Sequence, residues 1–140
     1  MLLNNGYVVK DKLLLIMTQE DKKLLLRDLC GRLPCGVKIH LEDFPNATLI
    51  GVVNEGIILH CDKYNYTYDT SWNIEYIKPY LFPLSSMTEE QYKEYWELEH
   101  SGNIEHLSIP LLDWLNANHF DYRSLIEKGL AIDATNLNIY

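Results

Sequence analysis

Basic residues are scarce in this chain. Lys and Arg number 12 against 20 Asp and Glu, so the 140 residues carry a net charge of −8 at pH 7. No basic run occurs anywhere. Phosphate binding rests on clustered Lys and Arg, so nucleic-acid binding is disfavoured. The acidity itself is mild and reads as solubility. Long apolar runs are also missing. The opening MLLNNGYVVKDKLLLIM has no basic segment before its apolar part, and its longest apolar run, residues 13–17, spans five positions. That is too short for a leader core or a membrane span. Cysteine is limited to Cys30, Cys35 and Cys61. An odd number without a secretory leader points to reduced thiols in a cytoplasm. The sequons at Asn46 and Asn65 then carry no glycan.

Motifs that bear chemistry are missing as well. The Cys30-x4-Cys35 spacing and the adjacent His60-Cys61, with His40 upstream, match no usual zinc pattern. No Gly-x-Ser-x-Gly is present, and no cysteine sits in a motif that lowers its pKa. Gly51 and Gly56 lie within a hairpin pattern rather than before a helix, so no loop cradles phosphates. Glu89, Glu90, Glu94, Glu97 and Glu99 crowd one helix and read as a solvated face rather than a paired acid and base. No catalytic, cofactor-binding or metal-ligating residue is therefore nominated, and the chain reads as non-enzymatic with no cofactor.

What remains is an ordinary globular composition, 47% hydrophobic and 23% charged. A compact chain of this length buries roughly 68–70% of its unfolded surface, so neither metal nor disulfide is required for stability. Thr18 is a good helix N-cap, and Glu20 and Asp21 follow in the first turn. The domain is expected to begin near Met17, with residues 1–16 an extension that holds a strand at 7–10 or 13–16. A helix spans 18–33, its apolar face made of Leu25, Leu29 and Cys30, and ends at Gly31 or Pro34. Residues 36–78 are β-rich. GVKIHL alternates, Pro45-Asn46 turns the chain, and ATLIGVV and GIILHC flank the hairpin connection Asn54-Glu55-Gly56. YNYTYDT alternates strictly, Asp69-Thr70-Ser71 turns again, and WNIEYI makes a fifth strand. With no connection long enough for a crossover, all neighbours are expected antiparallel. Pro79 and Pro83 exclude regular structure from KPYLFPLSSM. A helical region follows over 88–130. Thr88 and Gln91 form a capping-box pattern, with Met87 stapled on Tyr92. Tyr92, Tyr95, Trp96 and Glu99 lie along one side of this helix, which ends at Ser101-Gly102-Asn103. Ser108 and Pro110 open a second helix.

The stretch NANHFDYRSLIEKGLAI concentrates His119, Asp121, Tyr122 and Arg123. Asp121 precedes the apolar positions Tyr122, Leu125 and Ile126 and is the natural N-cap of a last helix, accepting the amide of Arg123 or Ser124. Asn or Ser in its place is expected to be nearly silent. His119 ends the preceding helix, where a partly positive ring is favoured, and Phe120 is a buried hinge. Ten tyrosines form the other signal. Tyr64, Tyr66 and Tyr68 share one face of a strand with Trp72 close by, which makes these four the candidate binding residues for a peptide or a base. Against that, period-two aromatics usually mark a covered face. Leu111, Leu112, Trp114, Leu115, Leu125 and Ile126 are expected to provide the lid over at least two of the three tyrosines.

Three stretches together, LLLRDLCGRLPCGVKI, IEYIKPYLFPLSSMTEEQ and LNANHFDYRSLIEKGLAI, resemble a large group of uncharacterised small proteins from gut Bacteroides-type bacteria and their phages and mobile elements. The resemblance covers most of residues 17–140. An aromatic is expected in that group where Cys35 stands, and residues 1–16 are a departure. The group has no assigned activity, so no functional residue is carried over. The resemblance implies the cytoplasm of a bacterium or phage-infected cell and an accessory or host-interaction role.

The expected fold is α+β, a single domain over 17–140. An N-terminal helix precedes a five-stranded antiparallel SH3-like barrel or bent sheet, and two to three C-terminal helices pack beside it. The expected function is a non-enzymatic protein-interaction module with an unidentified protein partner and no membrane association. The alternative is a nucleic-acid-associated accessory protein built on a small β-barrel.

Overall fold

The computed structural model describes residues 17–54, 56–63, 66–101 and 108–140, and only the backbone of 45, 63 and 66–68. Residues 1–16 with the strand expected there, Glu55, Tyr64 and residues 102–103 lie outside the described residues.

Helix α1, Gln19–Arg32, starts where local chemistry dictates. The Asp21 amide donates to Thr18 Oγ1 at 3.0 Å, and the acids Glu20 and Asp21 sit at the positive end of the dipole. Its buried residues are Leu25, Asp28, Leu29 and Arg32, the i, i+3, i+4, i+7 stripe of an amphipathic helix. Cys30, expected on the apolar face, is exposed. At 100° per residue it is turned well away from Leu25, and Asp28 and Arg32 take the inner positions instead.

The strands are β1 (Lys38–Leu41), β2 (Phe44–Val53), β3 (Gly56–Lys63), β4 (Tyr66–Asn73) and β5 (Lys78–Pro83). Beyond them come helix α2 (Glu89–His100), helix α3 (Ile109–Ala117) and two short strands, β6 (Phe120–Asp121) and β7 (Ile132–Asp133). The sheet order is β4-β3-β2-β1-β5-β6, with β7 also paired to β5. Among the described residues β4 and β6 do not pair, so the sheet is open rather than a closed five-stranded barrel. It is also mixed. β1 to β5 pair antiparallel, but β6 and β7 run parallel to β5. The chain leaves β5 through α2 and α3 before returning, which supplies the crossover length a parallel pair needs.

Several local expectations shift by a few residues. The turn placed at Pro45-Asn46 occurs at Glu42-Asp43, where Asp43 adopts φ 69° and Leu41 pairs with Phe44. A small polar residue tolerates that left-handed position. The turn placed at Asp69-Thr70-Ser71 is absent: β4 runs straight through, pairing these residues with His60, Leu59 and Ile58. The chain turns instead at a short 3-10 segment, Ile74–Tyr76, where the Glu75 amide donates to Asn73 Oδ1 at 3.0 Å. WNIEYI is therefore not the fifth strand, since Trp72 and Asn73 end β4 and the rest turns, and KPYLFP is. Proline removes only its own donor, and Pro79 and Pro83 stand near the two ends of β5, where that loss is tolerated. Between them Phe82 N–H donates to the His119 carbonyl at 2.8 Å, and the Leu81 carbonyl accepts from Ala134 N–H at 2.8 Å.

One face of the sheet is buried. Ile39, Leu41, Ala47, Leu49, Ile57, Leu59, Cys61 and Leu81 form the core with Leu25 and Leu29 of α1 and with Leu125, Leu130 and Ala131. A second, smaller cluster joins Leu111 and Leu115 of α3 to Phe120, with Phe82, Met87, Tyr95, Leu98 and Trp114 around it. The expected lid is thus divided. α1 and the 125–131 segment cover the sheet, while α3 packs with α2 at the end of β5. The Thr88–Gln91 capping box is present, with bonds of 2.9 and 3.1 Å, and Ser108 caps α3. Met87 packs in the second cluster with Tyr95 rather than stapling Tyr92, which is exposed.

Candidate functional site

The HFDYR stretch is drawn into the interior. Asp121 is 7% exposed, and both its oxygens accept backbone amides, Leu125 and Ile126, each at 2.9 Å. The expected cap therefore exists in kind, but it serves later amides than Arg123 and Ser124, and no helix follows. Residues 124–130 make one turn, closed by Leu130 N–H to the Leu125 carbonyl and Gly129 N–H to the Ile126 carbonyl. Gly129 has φ 75°, the left-handed C′ position that ends a turn in this way. The helix is cut short because the chain must reach β7 beside β5.

Tyr122 and Arg123 are used inside as well. The Tyr122 hydroxyl donates to Asn116 Oδ1 at 2.6 Å, and the guanidiniums of Arg32 and Arg123 lie over its ring. Arg123 Nε donates to Asp28 Oδ1 at 3.1 Å. Asp28 also accepts Arg32 Nε at 2.6 Å and Arg32 Nη2 at 3.2 Å, and Nη2 reaches the Phe120 carbonyl at 2.6 Å. Asp28 and Arg32 are fully buried. This network ties α1 to the strand β6, with every carboxylate oxygen engaged by a donor of the same chain. Arg32 Nη1 is the one buried guanidinium nitrogen with no hydrogen-bond partner among the described residues.

His119 does not act as a positive helix end. It has φ 61°, lies flat on Tyr140 with ring centroids 3.7 Å apart, and burial together with the Arg32 charge lowers its pKa from 6.5 to about 4. The ring is neutral at pH 7, and the expectation fails because the segment is packed inside rather than at a solvated terminus. Burial pushes the Tyr140 hydroxyl up to about 12; it accepts Lys38 N–H at 3.0 Å and donates to the Tyr80 carbonyl at 2.7 Å. Phe120 is buried, as expected.

Of the four aromatic candidates, Tyr64 lies outside the described residues, and Tyr66 and Tyr68 are described as backbone of β4 only. Trp72 packs on the covered side of the sheet, edge-on to Phe44 at 5.8 Å and to Tyr76 at 6.4 Å. Cys61 is buried in the core, where burial and then Asp62 and Asp69 raise its pKa. His60 Nδ1 bonds Asp69 at 2.8 Å and His40 Nδ1 bonds the Tyr80 hydroxyl at 3.0 Å, both on the open side of the sheet. Among the described residues no three His, Cys, Asp or Glu side chains meet so as to hold a metal ion. Nor is any helix there long and apolar enough to cross a membrane.

The surface feature that stands out is on α2. No residue of this helix is fully buried; Tyr95 and Leu98 point inward to the second cluster. Tyr92 and Trp96, one turn apart, point outward and are 58% and 50% exposed. His100, one turn further, stacks on Trp96 with centroids 4.0 Å apart and interplanar angle 22°, held by a 2.8 Å bond between Nδ1 and the Trp96 carbonyl. The three residues form one outward row, in which Trp96 and His100 stack on each other while the Tyr92 ring stacks on Tyr95 at 6.4 Å with interplanar angle 29°. Sequence reasoning had grouped Tyr92, Tyr95, Trp96 and Glu99 on one side. The finer spacing Tyr92-x3-Trp96-x3-His100, a single i, i+4, i+8 row, is the signal that separates the outward rings from Tyr95. Comparison with protein-family models, with curated proteins and with solved structures gave no match.

Proposed function

We propose that this protein is a non-enzymatic binding module that engages a protein partner through the outer side of α2. The observation that carries the reading is the exposed Tyr92–Trp96–His100 row. Isolated apolar side chains on a surface are ordinary, but aligned aromatic rings on one face form a patch of the kind that marks an interface. Tyr and Trp are the residues that dominate binding hot spots, because they bury much area with little loss of side-chain freedom. His100 fixes the Trp96 ring by stacking, so part of the ordering cost of docking is already met. The buried HFDYR network supports the same reading from the other direction: its groups hold α1, α3 and β6 together rather than face a substrate.

The resemblance to bacterial and phage mobile-element proteins adds the setting of an accessory protein in such a cell. The alternative, a nucleic-acid accessory role, requires a basic surface, and α2 carries five glutamates against the single lysine Lys93. A photo-crosslinking residue at position 93, exposed beside the row and leaving its rings in place, tests the proposal in cells that naturally carry the protein. A discrete adduct is expected from position 93 and not from position 50, which is exposed on β2. Equal or absent adducts from both positions refute it.

A further inference from the structure

We infer that the partner segment that docks on α2 is basic and presents arginine to the Trp96 and Tyr92 rings, an inference that rests on the α2 interface proposed above. The argument is charge complementarity around an aromatic surface. α2 carries five glutamates, Glu89, Glu90, Glu94, Glu97 and Glu99, against the single lysine Lys93. At 100° per residue the inward side is set by Gln91, Tyr95 and Leu98. Tyr92, Trp96 and His100 then run from its flank to its far side, about 90°, 130° and 170° round the helix. Glu99 borders the row beside Tyr92 and Glu89 lies between Trp96 and His100 in projection, while Lys93 borders the His100 end with Glu97 beyond it, so the two charges nearest the Tyr92 and Trp96 rings are both carboxylates. Glu99 is tied to the Tyr95 hydroxyl at 3.3 Å, which holds it at the border of the row.

Each alternative occupant meets this field unfavourably. A second copy docking α2 on α2 brings both sets of glutamates together across an aromatic contact. An anionic membrane surface and a nucleic-acid backbone are repelled by the same rim and by the chain's net charge of −8. A neutral apolar segment would cover the rings but leave glutamates at its edge desolvated without partners. A basic segment satisfies both parts at once. Its cations are attracted to the ring faces and to the carboxylates, and long-range attraction speeds encounter. Arginine suits the site better than lysine, since its planar fork stacks on an indole and bonds a carboxylate through two N–H groups together.

The test uses the full chain, immobilised and panned against a random peptide library, with parallel panning on Trp96→Ala to remove peptides that bind elsewhere. Peptides that depend on Trp96 are expected to be enriched in arginine. Their affinity is expected to fall at least tenfold with Trp96→Ala and several-fold between 50 and 300 mM salt. Glu89→Gln/Glu99→Gln, which keeps the rings and removes the two nearest charges, is expected to weaken them at least threefold. Trp96-dependent peptides that are acidic or neutral, with no loss in salt, overturn the basic partner while leaving the α2 interface standing. Failure to recover any Trp96-dependent peptide overturns both.

Discussion

Asp121 offers the sharpest test of how this fold is held. Both carboxylate oxygens accept a backbone amide at 2.9 Å, those of Leu125 and Ile126, within a site only 7% exposed. A hydrogen bond to a charged group contributes about 1.5–3 kcal/mol, and a buried donor left unpaired costs about 1–3 kcal/mol. Asp121→Ala strands two amides, so the expected loss is about 3–5 kcal/mol, well above the roughly 0.5–2 kcal/mol of a solvated cap. Asp121→Asn keeps one acceptor but turns its NH2 group toward the other amide, donor against donor. Its expected loss is about half that of Ala, roughly 1.5–2.5 kcal/mol. The near-silent Asn expected from a simple helix cap is therefore replaced by a graded series, Asp above Asn above Ala. Urea unfolding at pH 7, followed by tryptophan fluorescence, measures it, with the slope checked so that only midpoints are compared. In melting temperature the Ala variant should lose about 3 °C per kcal/mol, or roughly 10–15 °C. If Asn matches wild type within about 0.5 kcal/mol, the two-amide account of this carboxylate is wrong.

Four further outcomes are expected. Asp28→Ala leaves the buried Arg32 guanidinium without its carboxylate and should cost about 3–5 kcal/mol, while Asp28→Ala/Arg32→Met should recover much of that; a double variant as unstable as the single one refutes the explanation. The unfolded chain protonates His119 near pH 6.5, whereas the folded ring resists protonation down to about 4. Its contribution to stability is therefore complete above 6.5 and is lost as pH falls toward 4. His119→Asn, which tolerates the left-handed backbone, should flatten the melting curve against pH in that window, and parallel curves would disprove the assignment. With a thiol reagent at pH 8, exposed Cys30 should react in the native state, while buried Cys61 should react only as the chain unfolds; prompt labelling of all three thiols contradicts the core packing. Finally, Tyr92→Ala and Trp96→Ala should each change stability by less than about 0.5 kcal/mol, since exposed side chains contribute little to folding. A larger loss would make the row structural and remove the basis for the proposed interface.

What could be read from the sequence was local. Thr18, the Thr88–Gln91 box and Ser108 each satisfy amides within a few residues of themselves, so their helices start where the residue types require. The alternation of Ile39 and Leu41, and of Ile57, Leu59 and Cys61, marks a half-buried sheet because strand side chains alternate with period two. An α+β class with an N-terminal helix follows from those signals alone. Tertiary structure decided whatever depended on partners distant in the chain. Pro79 and Pro83 looked like breakers until β1, β6 and β7 supplied neighbours that leave their missing amides unneeded. Residues 122–128 carry the periodicity of a helix, yet one turn is all that fits between Asp121 and the return to β5. Nothing near Asp28 and Arg32 in the chain marks these charges of α1 as interior. They are buried because Arg123 and the Phe120 carbonyl, far along the chain, complete their bonding. The α2 row was visible in spacing, but which of its rings face water was not, because partial burial of Tyr95 and exposure of Trp96 are set by where α3 lies. A sequence states the preferences of each segment; contacts between segments far apart in the chain decide which of them is kept.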